Sequence, residues 1–441
     1  MIIFLLTDGL GSMHGPHLRN TVPKALLADA TWYGTLAALR DLGAHGVAVT
    51  IGSDSWLAPA RWSRHVSRTV SCPRSKDAAA FLEWLLRFGA EQPGHFLYPT
   101  SDEVAWLVAS HRDELSRYYR LYSPPIQSLV RLLDKARLIE DAKAAGLDVP
   151  ETVVPRDVAD AERCCRTVGF PLFLKPRAQV FRLGFGKGVR VNNLSELVSA
   201  WCSHLNRTTY AAEVLKHVPD IHLLMLQSWV SSSERIYTVD GFVDETGNLS
   251  ASLACVKLLQ LPRGSGAGII FERAEIDPVI DDGLHRLFRN TGFYGVFDAE
   301  FLEVGGRKLL IDINPRYYNH MAFESERGLH LPWITYLAAT GDFDTLKVEI
   351  AKSKSAPMSR CAYVHPLRTN LLLRVQRVAG KMSAEEEHHW RRRIEEYGDS
   401  VTDPVWTADD PAPRLAEMAA EIYAVVRHPR SYLGGLLRLP G

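Results

Sequence analysis

Residues 295–319, GVFDAEFLEVGGRKLLIDINPRYYN, carry the pattern that most restricts what this chain can fold into. Residues 296–303 alternate, with Phe297, Ala299 and Phe301 on one face and Asp298, Glu300 and Leu302 on the other. Residues 308–314 alternate again, setting Leu309, Ile311 and Ile313 against Leu310, Asp312 and Asn314. Two period-two runs parted by Gly305-Gly306 predict a β-hairpin. Loop length decides which side chains meet. A two-residue Gly-Gly turn sets Glu300 and Asp312 on opposite faces. A three-residue loop of Val304, Gly305 and Gly306, with Gly306 left-handed, sets them on the same face.

The three-residue loop is the expectation, because strands that gather acids on one face need a reason. Two carboxylates about 4 Å apart repel by about 4 kcal/mol at an effective dielectric of about 20. A cation between them removes that cost. The oxygen-only set Glu300, Asp312 and Asn314 suits magnesium better than zinc. A lone acid on such a strand would be read as an ordinary wet face. The fuller pattern, with Asn314, Pro315 and Arg316 following Asp312, places the acids where a metal bridging nucleotide phosphates needs them.

The rest of the 441 residues bounds the class of protein. At 46% hydrophobic and 23% charged, the chain can build two or three domains with cores. Lys plus Arg balance Asp plus Glu at 51 each, so no global field argues for nucleic acid or an acidic membrane. The six cysteines show no metal-ligand spacing, and Cys164-Cys165 fall in a helical pattern, as reduced thiols would. The apolar start, residues 1–6, stops at Asp8 and is too short for a signal or a membrane span. A soluble, cytoplasmic protein is expected.

In chain order, residues 2–7 read as a strand running into a glycine-rich turn at residues 8–15, whose spacing is not that of a dinucleotide fingerprint. Helices are expected at 32–42, 76–88 and 102–110, and strands at 45–51 and 95–98. This alternation predicts an open α/β unit with a mostly parallel sheet. The corner at residues 99–103, where a strand end meets a helix N-terminus, is a usual binding position. Ser123-Pro124-Pro125 marks a boundary. Two helices follow, with Lys135 at their junction, then the strand 170–175 ending in Lys175, and a glycine-rich turn at 182–189. Strands at 222–227, 235–243, 249–259 and 268–272 predict an antiparallel sheet, followed by a helix at 277–290 and then the hairpin. Lys257 and Arg263, on the strand and loop 253–266, are placed to meet a carboxylate or phosphate. Tyr317, Tyr318 and Asn319 would wall a pocket beside Arg316. Residues 385–396 form a solvated charged helix, its basic run offset by five glutamates. The tail, residues 415–439, mixes apolar and basic residues. An interfacial helix is one outcome; docking on the protein's own surface or on a second subunit is the commoner one.

From Lys135 to Arg316 the sequence resembles the ATP-grasp superfamily, which includes D-alanine–D-alanine ligase, biotin carboxylase and the carbamoyl phosphate synthetase large subunit. The resemblance implies an α/β and α+β architecture. Residues 1–125 would be an N-terminal open α/β, pre-ATP-grasp domain. Residues 126–345 would be a two-subdomain ATP-grasp fold with an antiparallel sheet and a lid at about 170–230. Residues 346–441 would be a mostly helical C-terminal extension. Lys135 and Lys175 match the nucleotide lysines. Gly184, Gly186, Lys187 and Gly188 match the phosphate lid. Gln227, Ser228, Trp229 and Val230 match the hinge, where backbone groups near Ser228 and Val230 would read the adenine edge; Glu234 matches the ribose contact. Glu300, Asp312 and Asn314 match the metal ligands, and Arg316 the arginine that stabilises the transferring phosphoryl group. Two positions depart from the pattern: Asp312 stands where Glu is usual, and Ser228 where Glu often follows the hinge glutamine.

The activity implied is that of an ATP-dependent carbon–nitrogen ligase. It would join a small-molecule carboxylate, by resemblance an amino acid, to an amine through an acyl phosphate, using ATP with magnesium, or manganese in its place. A carboxylase or carbamoyl-phosphate-type enzyme acting on bicarbonate, a non-catalytic nucleotide-binding regulator, and an NAD-dependent oxidoreductase are the rival readings. No nucleic acid or membrane span is expected, and a homodimer is allowed.

Overall fold

The computed structural model describes residues 22–438 apart from 185, 231–234, 265 and 356–359. The expected strand at 2–7, the turn at 8–15 and Glu234 therefore lie outside the described residues. The N-terminal unit is a five-stranded parallel sheet in the order β3-β2-β1-β4-β5. Its strands are β1 (Ala25–Leu27), β2 (Val49–Ser53), β3 (Val66–Ser71), β4 (His95–Leu97) and β5 (Tyr119–Leu121). The central described strand is thus β1, three buried residues just after Pro23, too short for a periodicity to register. The corner after β4 closes on its end: Thr100 Oγ1 donates to the Ala28 carbonyl at 2.8 Å, and Ser101 Oγ to Asp29 at 2.5 Å. Ser101 also caps the helix Asp102–Ser110 by accepting from the Val104 N–H.

Packing does not break at the proline pair. The helix Ile126–Leu133 sends Ile126, Leu129 and Val130 into the core of the N-terminal sheet, alongside Phe81 and Trp106. The next strands are β6 (Thr152–Val153), β7 (Leu172–Pro176), β8 (Arg182–Leu183), β9 (Val189–Val191), β10 (Thr209–Tyr210) and β11 (Leu224–Ser228). Four of them make an antiparallel sheet, β6-β11-β7-β9, and β8 pairs with β10. Leu172, Leu174, Leu197, Trp201 and Leu226 form this unit's separate core. Because β6 and the helix Val158–Val168 belong to it, the small unit begins near residue 152.

A seven-stranded sheet, β16-β15-β12-β13-β14-β17-β18, carries the rest. Its strands are β12 (Ile236–Val243), β13 (Ser250–Leu261), β14 (Ala267–Ala274), β15 (Gly295–Val304), β16 (Arg307–Asn314), β17 (Ala362–Val364) and β18 (Val401–Thr402). All neighbours are antiparallel except β17 and β18. The region after residue 345, expected as a mostly helical extension, also adds two short strands to this sheet. It also reaches back to the N-terminal unit. Buried Asp410 accepts from Arg40 Nε at 2.9 Å, from Ser63 Oγ at 2.7 Å and from the Arg64 N–H at 2.8 Å. All six cysteines are free thiols.

The sheet and the N-terminal unit share an interface. The Val296 N–H donates to Tyr98 Oη at 2.7 Å, and the Tyr98 and Tyr317 rings meet at 4.5 Å. Gly295, at φ 120°, is required there: a Cβ would come within 2.7 Å of Tyr98 Oη. The helix Leu331–Thr340 buries Leu331, Ile334 and Leu337 in the same core, each worth about 2 kcal/mol as area removed from water.

Candidate active site

The hairpin corrects the expected loop. Val304 pairs with Arg307, so the connection is the two-residue Gly305-Gly306 turn, both glycines at positive φ. The parity comes from elsewhere. Phe301 pairs with Leu310 but Glu300 pairs with Asp312, so Ile311 is a bulge. The two carboxylates therefore stand directly opposite each other on one face, with Asp298 opposite Asn314 one step along.

Each of the two facing acids has its own ammonium. Lys257 Nζ lies 2.7 Å from Glu300, and Lys135 Nζ bonds Asp312. Burial pushes the Glu300 carboxyl upward, but the Lys257 charge and hydrogen bond, with Lys187 adding to them, hold it down at about 2. Glu300 is thus an anion that a stronger cation can claim.

The other lysines converge on the same place. Lys175 on β7 is buried, and burial together with the neighbouring Lys135 charge lowers its pKa from 10.5 to about 7, against the pull of Asp312. Lys187 is exposed along its chain, yet desolvation of its ammonium lowers its pKa, with the Lys257 and Lys135 charges adding to this and Glu300 and Asp312 opposing it. The backbone fixes the first pair. The Lys135 N–H, opening the helix Lys135–Ala144, donates to the Arg177 carbonyl at 2.9 Å, two residues beyond Lys175. Buried Asp134, which caps that helix, receives Arg177 Nε at 2.9 Å. Neither Asp134 nor Arg177 was singled out from the sequence; they lie 43 residues apart, and only the adjacency of each to a site lysine hints at a role.

The glycine-rich turn is a crossover rather than a hairpin, since it leaves β8, which pairs with β10, and enters β9, which pairs with β7. Gly184 sits at φ 122° with its missing Cβ directed into the Arg207 carbonyl. Gly188 leaves room for the Phe173 ring, and the Gly186 carbonyl accepts from Arg182 at 2.9 Å.

At the expected hinge, Gln227 is buried and donates to Thr152 Oγ1 at 2.9 Å. The Ser228 N–H donates to the Glu151 carbonyl and the Trp229 N–H to the Pro171 carbonyl. The Ser228 N–H is therefore committed to the small sheet and is not free for the adenine edge it was expected to read. Phe173 and Trp229 meet at 5.7 Å, with Arg190 over the indole.

Arg316 donates to Asp102 at 2.8 Å, to the Asn314 side chain at 3.0 Å and to the Tyr317 carbonyl at 3.0 Å. The corner after β4 thus steers the arginine. Arg263 goes elsewhere: it meets Glu386 at 3.0 Å and Gln376, both on C-terminal helices, so the site role expected for it gives way to an anchoring one. Asp298, which Asn314 Nδ2 contacts at 3.0 Å, is buried against Asp240 on β12. Burial and the mutual charge raise the Asp298 pKa, and burial raises that of Asp240 to about 6. His320 Nε2, 3.2 Å from Asp240, stacks on Phe271 at 4.1 Å.

Among the described residues, no helix is long and apolar enough to cross a membrane. No family model matches the chain. A stretch of 141 residues is 27% identical to a D-aspartate ligase of Enterococcus faecium (strain Aus0004), covering 31% of this chain and about a third (33%) of that protein. Among solved structures, the fold is similar to the biotin carboxylase domain of the Hydrogenobacter thermophilus 2-oxoglutarate carboxylase, in complex with MgADP, ADP and bicarbonate. That match has a TM-score of 0.58 at 17% identity and covers 73% of this chain and 70% of that one. It is also similar to an L-amino acid ligase from Bacillus licheniformis, with a TM-score of 0.54 at 14% identity over 73% and 75% of the two chains.

Proposed function

We propose that this chain, which has the ATP-grasp fold, is an ADP-forming ligase that joins an amino-acid carboxylate to an amine. The observation that carries this reading is the facing pair Glu300 and Asp312, each matched by a lysine, with Lys175 and Lys187 directed at the same cleft.

Magnesium fits the donors. Glu300, Asp312 and Asn314 offer only oxygen to a cation, and the two carboxylates face one another across adjacent strands. When bound, the metal would supply charge neutralisation between the nucleotide phosphates. The chain's own groups do the rest. Lys135 and Lys175 meet phosphate oxygens as point charges, and Lys187 arrives with the glycine-rich crossover. Arg316, pre-aimed by Asp102, meets the transferring group.

In the first step a substrate carboxylate oxygen attacks the γ-phosphorus, the new O–P bond forms, and the bond to the ADP oxygen breaks. In the second, the amine nitrogen attacks the acyl carbon. A C–N bond forms, phosphate leaves with the electron pair, and the amine gives up a proton. No covalent enzyme nucleophile is required, only in-line positioning and charge neutralisation.

An amino-acid substrate is favoured by the stretch similar to D-aspartate ligase and by the fold shared with an amino acid ligase. Likeness in fold to a biotin carboxylase domain bound to bicarbonate favours a second reading, a carboxylase or carbamoyl-phosphate-type enzyme acting on bicarbonate. A screen of ADP production across amino acids, amines and bicarbonate, with mass spectrometry of the product, separates them. ADP release that depends on an amino acid and yields an amide supports the ligase. Release with bicarbonate alone replaces it with the second reading.

A further inference from the structure

We infer that the outer face of the two C-terminal helices, Ala412–Arg427 and Pro429–Leu437, is a docking surface for an anionic lipid membrane. The longer helix is held by its inner side. Glu417 receives Tyr33 Oη at 2.8 Å and lies 2.9 Å from His365; Glu421 receives Arg368 at 2.9 Å and Tyr432 Oη at 2.6 Å. Both acids of the helix are therefore spent inward.

The outward side is apolar. Leu415, Met418, Ile422, Val425 and Val426 are exposed, Val426 by 76% and Ile422 by 63%, and Leu433 continues the face on the second helix. At about 100° per residue, the five on the longer helix fall within an arc of about 100°. A solvent-facing helix normally carries charge there. An apolar arc of this size on a folded surface marks a place where something docks.

Charge decides what docks. The exposed ionic residues of 411–438 are Arg427, Arg430 and Arg438, together with His428, and no Asp or Glu in that stretch is exposed. An amphipathic face with basic residues beside the apolar ones suits a bilayer surface: apolar side chains enter the acyl boundary while arginines meet lipid phosphates. A second copy of the same face is a poorer match, because it would bring arginines against arginines with no acid to answer them. The tail does not dock this face on the protein's own surface, as the exposures show. Trp62, 40% exposed on the short helical turn Pro59–Trp62 that packs against the longer helix, is a residue type enriched at bilayer interfaces.

The test is flotation of the full chain with vesicles of phosphatidylcholine alone or mixed in equal parts with phosphatidylglycerol. The expected result is binding to the mixed vesicles, weaker by about tenfold or more on phosphatidylcholine alone and reduced by salt. The double variant Ile422→Asp/Val426→Asp should lose binding while keeping the wild-type melting temperature, since both side chains point to solvent. Arg427→Glu/Arg430→Glu should also bind less and lose its salt dependence. No binding to mixed vesicles at low salt overturns the inference. So does a solution dimer that Ile422→Asp/Val426→Asp dissociates and that ignores vesicles, which would give the face to a second copy.

Discussion

Glu300 and Asp312 stand directly across from one another on β15 and β16, and they do so because Ile311 is set out of the ladder between them. With a two-residue turn, an unbroken ladder would set the two on opposite faces. The bulge restores the shared face at the sheet's edge strand, a common place for such a device. The cross-strand pair is then held in charge balance by Lys257 and Lys135.

Lys175 gives the site a pH signature. Its pKa is lowered to about 7 in the folded chain against 10.5 for a free lysine, so between these values the unfolded chain binds more protons. Stability of the nucleotide-free protein should rise with pH across that window, and Lys175→Met should flatten the slope. Bound phosphates favour the charged lysine, so ATP binding should take up a proton and weaken as pH climbs above about 7. Calorimetry in buffers of different ionisation enthalpy measures the uptake; a value unchanged in Lys175→Met contradicts the assignment.

Asp134 and Arg177 fix where Lys135 begins its helix. Asp134→Ala strands a buried guanidinium, keeping only Asp220 as its acid, and should cost about 3 kcal/mol in urea unfolding. Adding Arg177→Met removes the stranded charge and should recover part of the loss. Equal stability of the single and double variants would show that the pair is not what the structure makes it.

Gly184 tests the crossover. A Cβ there points into the Arg207 carbonyl at a φ that side chains rarely adopt, so Gly184→Ala must move the loop that carries Lys187. The small unit's core lies elsewhere, in Leu172, Leu174 and Trp201. The expected outcome is a turnover loss of about tenfold or more with a melting temperature near wild type. Unchanged turnover would remove Lys187 from the site.

Much of the centre was legible because short-range periodicity reports strands and their faces directly. Glu300, Asp312 and Asn314 share the expected face, although a bulge and not the expected loop brings Asp312 there, and Lys135 lies beside both Asp312 and Lys175. The bulge was not legible, since nothing in IDIN distinguishes an extra residue in the strand from one in the loop. Nor were pairings that only folding creates: Lys257 on Glu300, Arg177 on Asp134, Asp102 on Arg316. Arg263 looked like a site residue because a basic group beside a strand end is ambiguous until its neighbours are known; Glu386, over a hundred positions on, decides it. Strands β1, β17 and β18 are three residues or fewer, below the length at which a period shows.

Magnesium-dependent ADP release in the presence of an amino-acid pool, compared between the wild type and the variants Glu300→Gln and Asp312→Asn, bears on the site most directly. Both variants keep a hydrogen-bond acceptor for their lysine and should stay folded by circular dichroism. The wild type should release ADP, and each variant should fall by about a hundredfold or more. Release at the wild-type rate from either folded variant would contradict the pair as the nucleotide's metal grip.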